Sequence, residues 1–452
     1  MSSTPNQQLE PILNKQQLVD YLVAGCKPKS EWRIGTEHEK FLFYRNNHKP
    51  LTYDGTNGIR HILTNLNRFG WKIIYENDRP IALQREGAAI TLEPGGQFEL
   101  SGAPLYNLHQ THAEFAQHFS ELEILQREMD FGILCLGFQP KWKRQDIDWM
   151  PKARYQIMRE YMPKKGKLGI DMMLRTCTVQ ANLDFSSEHD MVRKFRLSMA
   201  LQPVVTAIFA NSPFFEGKNI SFQSYRSWVW TDTDPDRSGI LDFVFKPEMS
   251  FERYVDYLLS IPMYFVYRDG QYINVAGESF LNLMHGRLKA VPGSKAMIGD
   301  WVNHLTVAFP EVRLKRYLEM RGADCVHPTL LPALPALWVG LLYDDQALDA
   351  AEELISTWSV TDIKKLRLDV PKFGLHANIS NKPIHQIAKQ IVMIAHQALQ
   401  RRNIQNQNGV TEGIYLEPLI NMLEKQKNPA LIMLDQYETQ AHIDQIFTKY
   451  GF

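Results

Sequence analysis

The chain has 452 residues, 44% apolar and 22% charged, which is ordinary globular composition with material for a large core. Lys+Arg and Asp+Glu are both 50, so the net charge is zero, and neither bulk nucleic-acid binding nor a basic membrane footprint is expected. No uncharged apolar run reaches the roughly 18 residues of a membrane span, and the start, MSSTPNQQLEP, lacks the basic and apolar regions of a secretory signal.

In chain order, residues 1–30 read as a lead-in with one short helix, QQLVDYLVAGC. Residues 31–102 read as strands around one helix, NGIRHILTNLNRFG. Residues 107–130 form a long amphipathic helix, and ILCLGFQP a buried strand. A second long helix over 189–210 is expected to break near Pro203, where the backbone loses a donor. The chain beyond residue 341 is mostly helical. Strands and helices do not alternate as βαβ units, so the fold class is α+β with an antiparallel sheet. The organisation expected is a single catalytic unit over 1–452: a lead-in at 1–30, a sheet core at 31–345 and a helical region at 346–452. The four cysteines, Cys26, Cys135, Cys177 and Cys325, are dispersed, which predicts reduced thiols and a cytoplasmic protein.

Four segments place polar groups on strands. Glu37 and Glu39 are two apart, so they share one strand face, with His38 on the other. Glu93 precedes Pro94-Gly95-Gly96, where the strand breaks and backbone can approach a neighbour; Gln97 and Glu99 share a face beyond it. Thr176, Thr178, Gln180, Asn182 and Asp184 alternate with apolar residues and Cys177. Over residues 312–324, Arg313, Lys315, Tyr317, Glu319 and Arg321 share a face. Each pattern alone also fits a solvated sheet face. Together they place five carboxylates, with amides and guanidinium groups, on one side of a sheet. Unpaired, those carboxylates repel; hard divalent cations with oxygen ligands remove the repulsion and bridge nucleotide phosphates. Arg321 and the basic run Lys141, Lys143, Arg144, Lys152 and Arg154 are the candidate phosphate partners. No glycine cradle competes: Gly166-Lys167 is followed by Leu168, and Gly217-Lys218 by Asn219. His109 and His112, three apart on the long helix, read as a helix-surface pair. Arg226, in the aromatic stretch 225–230, needs an anion or a carbonyl partner.

The blocks RIGTEHEKF, LEPGGQFELSGAPL, GFQPKW, MMLRTCTVQANLDFSSE, FANSPF, VWTDTD and FPEVRLKRYLEMRGAD resemble the plant and proteobacterial type of glutamate–cysteine ligase, from about residue 31 to about residue 345. The resemblance implies a glutamine synthetase-like fold, a curved antiparallel sheet lined by carboxylates with helices behind. It implies ATP as co-substrate and magnesium, with manganese able to replace it. The implied reaction joins the γ-carboxylate of glutamate to the amine of cysteine through a γ-glutamyl phosphate, the first step of glutathione synthesis. Carried over residue by residue, Glu37, Glu39, Glu93, Glu99 and Glu319 are metal ligands, with Gln180 a sixth candidate beside the nucleotide. Arg321 contacts phosphate, Arg226 holds a substrate carboxylate, and Arg154 serves nucleotide or substrate. The implied partners are glutamate, cysteine and ATP, with the chain a monomer or weak homodimer. A related ligase using another amine, or a catalytically silent homologue, would carry the same blocks. The plant pattern also has two cysteine pairs; their positions are His112 and Pro332, and Val275 and Ala290, none of them cysteine.

Overall fold

The computed structural model describes residues 9–437 and 443–451. Its centre is a nine-stranded sheet in which every pair is antiparallel. The strands are β1 (Ile34–Tyr44), β2 (Lys72–Glu76), β3 (Arg79–Arg85), β4 (Ala88–Leu92), β5 (Phe98–Ser101), β6 (Phe131–Leu134), β7 (Thr178–Leu183), β8 (Val312–Leu314) and β9 (Leu318–Asp324). They lie in the order β8-β9-β7-β1-β5-β4-β3-β2, and β6 pairs with the far end of β1. The α+β reading and the antiparallel sheet hold. β1 is central, flanked by β5 and β7.

Alternation sorts the residues onto two faces. Cys177, just before β7, and Val179, Ala181 and Leu183 on it are at most 1% exposed and form part of one continuous core. Burying a side chain the size of Val179 or Leu183 contributes about 1.5–3 kcal/mol each. The same elements turn Gln180 and Asn182 the other way. The Glu188–Ile208 helix packs behind β9, and the Ala333–Leu342 helix behind β7. The Leu108–Met129 helix, N-capped by Asn107 and ended by Asp130 in the left-handed region, covers the back of β1. There His38 packs against Phe115 and Phe119, and Lys40 Nζ meets His118 Nε2 at 2.7 Å.

Two expectations are corrected. The second long helix does not break: Glu188–Ile208 runs through Pro203. Its residues from Leu197 to Ile208 are all buried, and that packing outweighs the roughly 3 kcal/mol of an internal proline. Residues 312–324 are not one strand but a hairpin, β8 and β9, with Lys315 N bonded to Tyr317 O in the turn. The shared face survives, because Arg313 and Glu319 are register partners across it. Beyond β9 the described chain is mostly helical, and no described helix is long and apolar enough to cross a membrane.

Candidate active site

Cross-strand partners share a face, and the register gathers the polar residues row by row. Thr91, Glu99 and Glu39 form one row across β4, β5 and β1. Ser101, Glu37 and Gln180 form the next, and Asn182, Glu319 and Arg313 a third. Glu93 follows β4 on the same side, its N–H bonded to Gln97 O. The intervening turn is strapped down. Gln97 accepts from Gly95 N and donates to Met173 O and Thr176 O. A Cβ on Gly95 would lie 2.5 Å from Leu174 O, and Gly96 has φ +82°, so the two glycines permit the approach expected of them.

The five glutamates are therefore brought to one face, in two electrostatic settings. Glu39, Glu93 and Glu99 are 9%, 4% and 2% exposed. Glu39 accepts one hydrogen bond from Thr178 N at 3.0 Å, and Glu99 accepts from Thr91 Oγ1 at 2.7 Å. Burial, then repulsion by Glu93 and Glu99, pushes the Glu39 carboxyl well above its ordinary range. Burial and Glu99 push Glu93 up too, against the pull of Arg154 and Lys152. Glu37, held by Asn182 Nδ2 at 2.9 Å and Gln180 Nε2 at 3.3 Å, is raised by burial and by Glu319 and Glu99.

Glu319 is different. It is fully buried, bound by Arg313 through two nitrogens at 2.7 and 2.8 Å, by Lys315 at 3.1 Å and by Arg321 at 2.6 Å. Burial disfavours its charge, but those three cations outweigh that and hold its carboxyl well below the ordinary range. Arg321 Nη1 also donates to Gln180 Oε1 at 2.9 Å. Among the described residues no three carboxylate, histidine or cysteine side chains already converge at metal-ligand spacing. The donor set is nonetheless one of oxygen, with Glu39, Glu93 and Glu99 crowded and buried together, which fits a hard divalent cation.

The basic run divides. Lys152 Nζ donates to Leu92 O at 2.9 Å, and both Lys152 and Arg154 act on Glu93. Burial lowers Lys152 to about 7. The rest of the run lies elsewhere, which corrects the expectation of one patch. Arg144 is tied to Asp171 and Lys141 to Asp444. Lys141 and Lys143 line a separate cavity with Tyr44 and His48. His109 donates to or accepts from Tyr415 Oη at 2.8 Å and His112 stacks on the same ring, so both serve helix docking.

Beside the carboxylates is a small, narrow cleft lined by Arg226, Trp230, Phe309, Glu311 and Arg321. Arg226 lies in the first turn of the short Tyr225–Val229 helix and is 4% exposed. Its Nη2 donates to Arg321 O at 3.0 Å and its Nη1 to Gly322 O at 3.2 Å. Its Nε, and Nε1 of Trp230, have no hydrogen-bond acceptor among the described residues. Two buried donors without acceptors, beside a cleft, suit an anionic oxygen. Sequence reasoning named Arg226 but missed Trp230, which reads as core until its indole N–H is found orphaned. It also missed Arg367, whose guanidinium reaches from the Val360–Phe373 helix to Glu311 and to Trp230 O.

The chain is similar to glutamate–cysteine ligase A, chloroplastic, of Oryza sativa subsp. japonica, at 51% identity over 446 residues, covering 98% of this chain and 89% of that one. It is 49% identical to glutamate–cysteine ligase, chloroplastic, of Arabidopsis thaliana over 440 residues, covering 97% of this chain and 83% of the relative. In fold it resembles a glutamate–cysteine ligase of Francisella tularensis solved in complex with AMP. The TM-score is 0.56 at 12% identity, over 93% of this chain and 88% of that one. The names of the plant relatives overturn the cytoplasmic expectation, since they place those proteins in the chloroplast. Dispersed thiols report a reducing environment and carry no address within the cell. The model of glutamate–cysteine ligase family 2 matches residues 33–449, and the chain belongs to that family.

Proposed function

We propose that the carboxylate face and the cleft beside it form one ligase centre, and that residues 1–452 work as a single catalytic unit. The chain is an ATP-dependent glutamate–cysteine ligase, making γ-glutamylcysteine in the first step of glutathione synthesis. Magnesium, or manganese in its place, would be held by Glu37, Glu39, Glu93, Glu99 and Glu319, with Gln180 alongside. When bound it would supply neutralisation of the negative charge on the phosphates. The observation that carries this reading is the crowding of Glu39, Glu93 and Glu99, buried carboxylates raised by burial and by one another.

In this reading Arg226 and Trp230 grip the α-carboxylate of glutamate in the cleft and direct its γ-carboxylate to the sheet. An oxygen of that carboxylate attacks the γ-phosphorus of ATP and ADP leaves. Arg321 turns from Glu319 to the phosphoryl oxygens, with Arg154 and Lys152 on the other side of the face. The cysteine amine then attacks the acyl carbon, phosphate leaves with the C–O bonding pair, and the proton shed by the amine passes to the departing phosphate. Burial of the face excludes water that would otherwise hydrolyse the acyl phosphate. The chain acts as a monomer or weak homodimer, which a sizing column checks.

The test is to incubate the purified chain with glutamate, cysteine, ATP and magnesium and to look for γ-glutamylcysteine by mass. Coupled ADP release with cysteine should exceed that with other amino acids. Equal or faster release with a different amine would assign it to a related ligase, and no release would make it a silent homologue.

A further inference from the structure

β9 carries a defect beside the cleft. Its register against β7 shifts between Met320 and Ala323, which inserts one residue. Arg226 holds the two bulged carbonyls, those of Arg321 and Gly322. The strand ends at Asp324, which is fully buried and paired with Thr178. Oδ1 of Asp324 accepts from Ser224 Oγ at 2.8 Å. Oδ2 accepts from Asn211 N at 2.8 Å and Ser212 Oγ at 2.6 Å. Both serines pass the contact on. Ser224 N-caps the helix that bears Arg226, accepting from Ser227 N at 3.1 Å, and Ser212 Oγ accepts from Arg226 N at 3.2 Å.

Each of these contacts leads into the segment that delivers Arg226. An ionised carboxylate is the side chain suited to accept from all three donors at once. It also places negative charge beside a guanidinium that is only 4% exposed. Asp324 has no freedom to move: a Cβ added at Gly137 would lie 2.2 Å from its Cγ.

We propose that Asp324 is a positioning residue. It locks residues 211–226 against the bulge, so that Arg226 Nε and Trp230 Nε1 present themselves together to a substrate carboxylate. This rests on the reading of the cleft as the glutamate site.

The test compares Asp324→Asn, Arg226→Lys and the double variant in the full chain. It measures KM for glutamate, cysteine and ATP, glutamate binding by calorimetry, and thermal melting. Asp324→Asn should raise the glutamate KM and Kd about tenfold and leave the ATP KM within twofold. The double variant should be no worse than Arg226→Lys, because both act through one grip. A folded Asp324→Asn with unchanged glutamate KM, beside an Arg226→Lys whose KM rises, overturns the proposal and spares the reading of the cleft. An unchanged glutamate KM in Arg226→Lys removes that reading and the proposal with it. If Asp324→Asn does not fold, Ser212→Ala decides, since it removes only the hydroxyl between Asp324 and Arg226 N. A glutamate KM raised severalfold supports the proposal, and an unchanged one overturns it.

Discussion

Glu39→Gln should make the metal-free protein more stable while disabling it. Glu39 stands directly opposite Glu99, and both are buried. Cross-strand partners bring two such carboxylates to roughly 5 Å, where unit charges repel by about 3 kcal/mol at an effective dielectric near 20. Proton uptake relieves part of this, since burial and the neighbouring carboxylates raise the Glu39 carboxyl well above its ordinary 4.5. The sign follows from linkage. A group raised in the fold contributes its stability below the unfolded value, and that contribution is lost as pH rises from 4.5 through the raised value. Glutamine keeps an oxygen for the Thr178 N–H and brings no charge. The variant should therefore gain about 1–3 kcal/mol at pH 8 in a chelator, or roughly 1–3 °C in melting temperature, with the gain shrinking toward pH 4.5. Added magnesium should stabilise the wild type more than the variant. A variant melting at or below the wild type at pH 8 without metal, or a difference that does not grow with pH, would refute the reasoning.

Glu319→Gln should do the opposite. It leaves Arg313, Lys315 and Arg321 short of a buried counter-charge and should cost about 3–5 kcal/mol as well as activity; an unchanged melting temperature would count against the ion cluster. Glu93→Gln should raise the magnesium needed for half-maximal ADP release at least tenfold, and an unchanged requirement would remove it from the metal site. Arg367→Ala should raise the glutamate KM severalfold, because Trp230 and Glu311 lose their clamp; unaltered kinetics would make the contact purely structural. Cys135, Cys177 and Cys325 are buried, and burial pushes the Cys177 and Cys325 thiols well up, so alkylation of the folded protein should label Cys26 first. Activity should match after full reduction and mild oxidation; a several-fold rise on oxidation, reversed by a dithiol, would refute this.

The carboxylate face was legible because strand alternation has a period of two: Glu37 and Glu39, or Gln180 and Asn182, can only point together. The hairpin within residues 312–324 was not, because its turn, Lys315–Tyr317, carries neither glycine nor proline and continues the alternation. Arg313 and Glu319 still share a face, by pairing across the turn instead of by spacing along one strand. The basic run misled because charge in sequence says nothing of partners, and Asp171 and Asp444 capture two of its members from far along the chain. Asp324 was invisible for a related reason. A bulge changes the parity of its strand, and Gly322 in MRGAD is a hint of one without being a proof.

The order of strands also bears on how the chain is made. β1 leaves the ribosome early and soon gains β5, but β7, which pairs with its Ile34–His38 stretch, begins at Thr178, and β9 is complete only at Asp324. Contacts of such separation form slowly, so through much of synthesis β1 presents an open edge. An apolar open edge is a template for aggregation, and charged side chains are a common safeguard. Glu37 and Glu39 stand on that strand, so the same repulsion that weakens the metal-free fold disfavours pairing of nascent chains with their own copies.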